Sequence, residues 1–445
     1  MLAALAAILL SIGVSTDGLE RFVPPPPPVT STELGQAYDV QATLNVGAAR
    51  LDVVETISLA NEAALPVAYV NLSVPPRAFG YVTLGDVTVG GKTAVTSWTT
   101  GTNLRVELGD RLAPGETADV VLVFSLVIGP SGGAFTARTS ADRGVLSFGQ
   151  WLPMVSPAID SYGVGDPRVT FVADRIAFAL TTTQPLARDA VACPGLVEAP
   201  AVTGTAWRCE IEHARDFSFV VNPRFHLTQH SVDGTLLRVY TETVGGARTA
   251  ELAAIALARL NELYGPYPWP DLVLAEVGAD GGFSMEYPAA IHLTRTKVTD
   301  TYVLYHEVAH QWFYAQLGND QQREPWLDEG FADFTTRYLM GIGENQCSGR
   351  PIDSTVFEWP AGPISGGDWQ SCDGYFHTVF YRTTEFLNAV RATTGDDAFF
   401  GAVRAFIADN RFGMTDGSAM LAALQAATDA DLAPLFSRYL ATYPP

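Results

Sequence analysis

The chain has little positive charge, little cysteine and few long apolar runs. Lysine occurs only as Lys92 and Lys297, so arginine supplies nearly all of the 27 basic residues, which face 48 acidic ones. A chain with a net charge of -21 is repelled by the phosphate backbones of nucleic acids, which argues against a nucleic-acid partner. Beyond the N-terminal segment no apolar run reaches about 18 residues, which argues against an integral membrane domain.

The N-terminal segment has the features of an export signal. Leu2 to Val14 form an apolar stretch of about 13 residues, which suits the central region of a signal peptide better than a membrane span. Pro24 to Pro28 then form a stiff polyproline II spacer. We expect residues 1–34 to be a signal-like segment and proline-rich linker, with an N-terminal anchor as one option. The predicted location is secreted or cell-envelope; the alternative is that the stretch begins a buried strand.

Cysteine usage agrees with an oxidising compartment. The four cysteines fall into two local pairs, Cys193 with Cys209 and Cys347 with Cys372, and none has the C-x-x-C spacing of a structural zinc site. We predict two short-range disulfides. Four buried free thiols are the alternative.

A change in pattern near residue 230 predicts two folded domains. From Tyr38 to Val221, short alternating runs are separated by turn residues every 8–12 positions or so, which is typical of an all-β sandwich. After His230 a strand leads into apolar runs with helical spacing. We therefore predict a multidomain protein, with a β-sandwich-like domain at 35–229 and an α+β catalytic domain at 230–445. The predicted helices cover 249–264, 301–316, 326–339, 378–393, 396–408, 417–427 and 430–442.

The pattern H-E-x-x-H carries the chemistry. In a helix capped by Asp300 and stopped by Gly318, His306 and His310 project from one face, one turn apart. Two imidazoles so placed bind one Zn²⁺, and Glu307 then lies where it can take a proton from a water molecule activated by the metal. In a chain with 7 histidines this pattern arises by chance only about 0.005 times.

A third ligand is expected from the next helix. A catalytic zinc site takes three protein ligands and keeps one open position. Glu329 follows His310 by nineteen positions, in a helix predicted to start near Pro325, and completes a site for one Zn²⁺ per chain. Asp333, one turn later, is placed to hydrogen-bond a ligating histidine. A solvated surface carboxylate is the alternative for Asp333.

With these motifs in place, the sequence resembles the gluzincin metallopeptidases, and specifically the M1 aminopeptidases, whose pattern is H-E-x-x-H followed after 18 residues by Glu. The resemblance extends upstream to three further stretches and covers about residues 35–445. It implies a thermolysin-like catalytic domain in a compact form without the C-terminal helical domain of larger members. The three stretches are Tyr264 to Trp269, Gly281 to Pro288 and Phe148 to Pro153.

The resemblance also implies how substrate is held. Residues 281–288 are similar to the family's G-x-M-E-N motif, whose glutamate binds the free α-amine. This assigns Glu286, with Met285 and Gly282, to substrate binding. The family's oxyanion-stabilising tyrosine aligns with Phe380, so Tyr381, one residue away, is the expected donor and Tyr375 the alternative.

These observations predict a zinc aminopeptidase that removes N-terminal residues from peptides. Its partners would be peptides with a free N-terminus. Two alternatives remain open: a zinc-binding scaffold protein with weak or no turnover, which the mismatch at Phe380 favours, and an endopeptidase of the same zinc class.

Overall fold

The computed structural model describes residues 34–132, 136–156, 170–279, 284–321, 324–343 and 376–440. The signal-like segment, Gly282, Tyr375, Cys347 and Cys372 lie outside the described residues. Within the described ranges no helix has the length and apolar character needed to cross a bilayer.

The first half of the chain is built from strands, as predicted. Alternate residues of the second strand, Arg50–Asn61, are buried, because one face of the sheet covers the core. The strands are β1 Leu34–Asn45, β2 Arg50–Asn61, β3 Val67–Ser73, β4 Val82–Val89, β5 Lys92–Thr93, β6 Thr96–Trp98, β7 Asn103–Leu112, β8 Thr117–Val127, β9 Thr139–Asp142, β10 Val145–Phe148, β11 Met154–Val155, β12 Ala173–Ala187, β13 Val191–Ala192, β14 Leu196–Glu198, β15 Thr203–Ala214 and β16 Phe219–Val221.

These strands form three sheets around a shared core. The largest has the order β14-β15-β12-β1-β2-β8-β4-β5, and two four-stranded sheets have the orders β13-β16-β10-β9 and β11-β3-β7-β6. All neighbours are antiparallel except β1 and β12, which run parallel. Side chains of the three sheets, among them Val40, Val106 and Phe148, belong to one buried cluster.

A separate five-stranded sheet opens the second half. Its strands are β17 His226–Val232, β18 Thr235–Thr241, β19 Asp271–Val277, β20 Met285–Tyr287 and β21 Ala290–Thr294. The order is β17-β18-β19-β21-β20, with β20 at an edge. The predicted boundary between residues 229 and 230 falls inside β17, which pairs along its whole length with β18.

The helices of this half lie between β18 and β19 and after β21 in the chain. They are α1 Gly246–Tyr264, α2 Thr301–Ala309, α3 Phe331–Met340, α4 Arg382–Thr394, α5 Asp396–Asp409, α6 Gly417–Ala426 and α7 Ala433–Tyr439. The prediction that α2 reaches residue 316 is wrong. The helix ends at Ala309, and tight turns follow in which Tyr314 adopts a positive φ of 121°. The fold therefore has an N-terminal β-rich part and a C-terminal part of one sheet with helices.

The predicted disulfide between Cys193 and Cys209 is present. It lies beside a polar contact that joins the two halves of the chain. Arg238 of β18 donates to the Cys193 carbonyl at 2.9 Å and pairs with Asp271, whose carboxylate also accepts from the Gly195 N–H at 3.1 Å. The five-stranded sheet is thus tied to the disulfide loop of the β-rich part.

The two faces of the five-stranded sheet have different neighbours. Met285 and Tyr287 of β20 pack against Val145 and Val220 of the β-rich part. Because side chains alternate along a strand, Glu286 points to the opposite face. That face packs against the helices, since Ile291, the partner of Glu286 in β21, shares a cluster with residues of α2.

Candidate active site

Helix α2 presents two imidazoles side by side. It begins after Asp300, whose carboxylate accepts from the Val303 N–H at 3.2 Å, so the predicted cap is confirmed. His306 and His310 lie one turn apart near the end of the helix, and their Nε2 atoms are 3.1 Å apart. Both side chains are buried, and the two rings are almost perpendicular.

Glu329 reaches these imidazoles from a wide helical turn, Trp326–Gly330, that leads into α3. Its Oε2 atom lies 3.1 Å from His306 Nε2 and 3.3 Å from His310 Nε2. The turn packs closely on α4, because a Cβ at Gly330 would lie 2.6 Å from the Thr383 side chain. Glycine at this position therefore lets the turn bring Glu329 to the histidines.

The three ligand atoms fit a tetrahedral zinc ion. Bonds of about 2.1 Å in tetrahedral geometry separate ligand atoms by about 3.4 Å, close to the 3.1–3.3 Å found here. His310 Nδ1 lies 3.0 Å from the Phe313 carbonyl, so the N–H on Nδ1 donates there and Nε2 is left with its lone pair toward the site. The predicted ligands form a group that could bind a metal.

The charge state of Glu329 suits a cation. Burial alone would raise the pKa of its carboxyl, but His310 and His306 more than offset this and hold that pKa well below its usual value. An ionised carboxylate beside two imidazole nitrogens is a donor set that zinc prefers.

Two further predicted site residues, both glutamates, are also buried. Glu307 follows His306 directly on α2 and is 6% exposed. Glu286 is 2% exposed on the face of β20 that packs on the helices. Met285 points to the other face and belongs to the core between the two halves of the chain. The roles of Glu307, Glu286 and Gly282 stay predictions.

Asp333 is placed differently from either expectation. It is fully buried, so it is not a surface carboxylate, and none of its hydrogen-bond partners in the described part of the chain is a histidine. Its oxygens accept from Tyr302, from Arg337 at 2.8 Å and from Thr384 at 2.8 Å. Tyr302 in turn lies parallel to the His306 ring, with centroids 6.2 Å apart. Asp333 therefore joins Tyr302 of α2, Arg337 of α3 and Thr384 of α4 through buried hydrogen bonds.

Phe380, the residue that aligns with the family tyrosine, packs on His306, one of the predicted metal ligands. The Phe380 ring lies 5.5 Å from the His306 ring and within 13° of parallel. Tyr381, the expected donor, instead packs under the Arg337 guanidinium at 4.4 Å and against His377 at 4.8 Å. One residue along a helical turn rotates a side chain by about 100°, which explains the divergence.

Known proteins are similar to this chain in sequence and in fold. The chain is 25% identical over 247 residues to an aminopeptidase N from Lactobacillus helveticus. The matched region is 48% of this chain and 29% of that protein. It is 30% identical over 211 residues to an aminopeptidase M1-A from Oryza sativa subsp. japonica. That matched region is 40% of this chain and 23% of the rice protein. The matched region thus spans less than a third of either relative. No family model matches the chain.

The structural likeness covers nearly the whole chain. An M1 zinc metallopeptidase from Deinococcus radiodurans superimposes with a TM-score of 0.65 at 17% identity, over 94% of this chain and 97% of that one. The resemblance to the M1 aminopeptidases is confirmed. The names of these relatives support the predicted enzyme class, a peptide hydrolase, and the shared fold is that of a two-domain M1 peptidase.

One buried residue beside the ligand His310 has no signal in the sequence. Gln311 follows His310, and its side-chain amide bonds the hairpin that joins β20 and β21. Its Oε1 accepts from the Ala289 N–H and its Nε2 donates to the Tyr287 carbonyl, both at 3.0 Å. The partners lie more than twenty positions upstream, so only the folded chain shows the contact.

Proposed function

We propose that this protein is a zinc-dependent aminopeptidase that removes N-terminal residues from peptides. One observation carries the proposal: the ligand atoms of His306, His310 and Glu329 converge within 3.3 Å, in a fold shared with M1 peptidases. The same helix holds Glu307 beside the ligands and packs on the face of β20 that bears Glu286.

Zinc, when bound, polarises the scissile carbonyl and acidifies a water molecule. Glu307 acts as the general base that takes the proton of the attacking water. It then delivers that proton to the nitrogen of the leaving peptide. Its burial suits this shuttle, because a desolvated carboxylate exchanges protons with a nearby partner rather than with bulk water.

Glu286 would select a free N-terminus. A carboxylate that is 2% exposed gains most by pairing with a cation, and an α-ammonium group provides one together with hydrogen-bond donors. An internal peptide or an acetylated terminus has no such charge and cannot form an ion pair with this carboxylate. The structure of the Deinococcus radiodurans relative with a Tyr-Ser-Ala substrate is consistent with peptide ligands for this fold.

We extend the proposal to the fold of the catalytic domain and to the location of the protein. The five-stranded sheet followed by the ligand-bearing helices supports a thermolysin-like catalytic domain. The disulfide between Cys193 and Cys209 supports a secreted or cell-envelope location, since such bonds persist in oxidising compartments.

A zinc-binding protein with little turnover is the second candidate. It is favoured by Phe380, whose ring contacts His306 where the family has a tyrosine hydroxyl. Loss of an oxyanion donor typically lowers kcat about 10²- to 10³-fold. This candidate keeps the metal site and predicts weak or absent hydrolysis.

A pair of isosteric variants tests the proposed function. Glu307→Gln should keep one zinc per chain and lose hydrolysis of aminoacyl fluorogenic substrates, because only the proton acceptor is removed. Glu329→Gln should lower zinc affinity as well as activity. Zinc content is measured by elemental analysis after dialysis. Full activity in Glu307→Gln would contradict the mechanism, and zinc-loaded wild-type protein without activity would support the binding protein.

A further inference from the structure

Gln311 ties the metal-ligand segment to the strand that carries Glu286. Its side chain is fully buried, and both ends of its amide are used. Oε1 accepts from the Ala289 N–H and Nε2 donates to the Tyr287 carbonyl, each at 3.0 Å. Tyr287 is the neighbour of Glu286 in β20, and Gln311 is the neighbour of His310. The amide therefore spans the gap between the predicted amine anchor and a metal ligand.

The part of the chain that Gln311 holds is a two-residue hairpin turn. Tyr287 pairs with Ala290, so Pro288 and Ala289 form the turn between β20 and β21. Ala289 adopts a left-handed φ of 54°, which is an unfavourable conformation for alanine. A fixed acceptor for its N–H helps to hold this conformation, and β20 is an edge strand with a ladder neighbour on one side only.

The backbone of Gln311 is equally well held. Its N–H donates to the Val308 carbonyl at 3.1 Å, and its carbonyl accepts from Gln316 Nε2 at 3.0 Å. The side-chain amide thus extends from a rigid base just beyond the end of α2. Any shift of the hairpin relative to His310 would break one or both of its bonds.

We propose that Gln311 is a positioning residue that sets where Glu286 lies relative to the metal ligands, and so sets how strongly the enzyme prefers a free N-terminus. This inference rests on the proposed function of Glu286. Reactive groups that are misplaced by about 1 Å can lower rates about 10²-fold, so a buried amide that fixes this spacing has a large effect. The effect passes through Glu286, because the described bonds of the Gln311 side-chain amide go to backbone atoms of the hairpin beside Glu286.

Inhibitor binding measures the preference without turnover. Leucine hydroxamate and N-acetyl-leucine hydroxamate share a metal-binding group and a side chain, and they differ in the free amine. The ratio of their inhibition constants reports the amine contribution. It is measured for wild type, Gln311→Leu, Glu286→Ala and the double variant, together with zinc content and Tm.

Asn61→Leu is the matched control, since it removes a buried side-chain amide that bonds two backbone carbonyls of the β-rich part, those of Leu65 and Leu112. We expect Gln311→Leu to reduce the amine ratio about 10-fold while zinc content is kept, and Asn61→Leu to leave the ratio within about twofold. In the Glu286→Ala background Gln311→Leu should have no further effect on the ratio. Where Gln311→Leu does not fold, Gln311→Glu carries the same test, because it keeps the shape and loses the donor to the Tyr287 carbonyl.

The results separate two kinds of failure. A wild-type ratio of one, with no preference for the free amine, contradicts the proposed aminopeptidase. A clear wild-type preference that Gln311→Leu or Gln311→Glu leaves unchanged overturns the positioning role alone. A further drop in the ratio in the Glu286→Ala background also overturns it, because the effect would then not pass through Glu286.

Discussion

The ring of Phe380 stacks on the imidazole of His306, with centroids 5.5 Å apart and planes within 13° of parallel. Among the residues that the structure describes, none accepts a hydrogen bond from His306 Nδ1. Metal-ligating histidines are usually oriented by such a bond. Here two parallel aromatic rings, Phe380 and Tyr302, contact the imidazole instead. Ring packing therefore contributes to the orientation of this ligand.

Phe380→Leu should weaken zinc binding. Aromatic pairs contribute about 0.5–1.5 kcal/mol beyond their buried area, which corresponds to a rise in the zinc dissociation constant of about 2- to 10-fold. Competition with a chromogenic chelator measures this constant. Phe380→Tyr is the matched control, since it keeps the stacked ring and should bind zinc as wild type does. Equal affinity of all three proteins would show that the stack does not orient His306.

The variant Phe380→Tyr also tests whether a hydroxyl at this position can act as the oxyanion donor. Phe380→Tyr restores a hydroxyl at the position that aligns with the family tyrosine, and we expect it to raise kcat by up to about 10²-fold. Tyr381→Phe should change kcat less than about twofold, because the Tyr381 ring packs on Arg337 and His377. A large loss of kcat in Tyr381→Phe would return Tyr381 to the role expected from the sequence.

Gly149 is required by the space beside Tyr287. A Cβ at position 149 would lie 2.0 Å from the Tyr287 hydroxyl oxygen and 2.3 Å from Cζ. Gly149→Ala should therefore destabilise the protein by about 1–3 kcal/mol and lower kcat/KM, since Tyr287 adjoins Glu286. Thermal unfolding and steady-state kinetics measure the two effects. Gly101→Ala is the control, because its Cβ would meet no described atom within 4 Å, and it should change neither the Tm nor kcat/KM. An unaltered Tm for Gly149→Ala would contradict the close packing of Gly149 on Tyr287.

The sequence predicted what depends on local spacing. The positions of His306 and His310 on one helix face follow from their separation by four, and the cap at Asp300 follows from its residue type. The end of α2 was missed because the turns after Ala309 depend on tertiary packing around Tyr314. The partners of Asp333 and Gln311 lie on other elements, so no local pattern could indicate them. The alignment of Phe380 with the family tyrosine stays a prediction, and its contact with His306 required the folded chain.

Glu55 should make stability depend on pH. Its side chain is fully buried in β2, and neither carboxylate oxygen has a hydrogen-bond partner in the described part of the chain. Burial raises the pKa of Glu55 well above its usual 4.5. The folded protein keeps a proton that the unfolded chain releases above that value. The contribution of Glu55 to the free energy of unfolding therefore falls as pH rises from 4.5 toward the raised pKa.

Glu55→Gln removes this dependence. The variant should be increasingly more stable than wild type above the usual pKa of 4.5, with the difference growing by up to about 1.4 kcal/mol per pH unit. Urea unfolding at pH 5, 6, 7 and 8 measures the difference. Val54→Thr, an exposed change in the same strand that removes no titratable group, serves as the control and should show no such trend. A difference between Glu55→Gln and wild type that is constant with pH would contradict a protonated buried Glu55.

The most direct test of the account compares matched substrates with and without a free amine. Purified protein is assayed with a panel of aminoacyl fluorophores and their N-acetylated counterparts, before and after treatment with a chelator and after zinc is restored. The account predicts cleavage of the free-amine substrates alone, lost with the chelator and recovered with zinc. Equal cleavage of acetylated substrates, or cleavage that persists without metal, would contradict a zinc aminopeptidase.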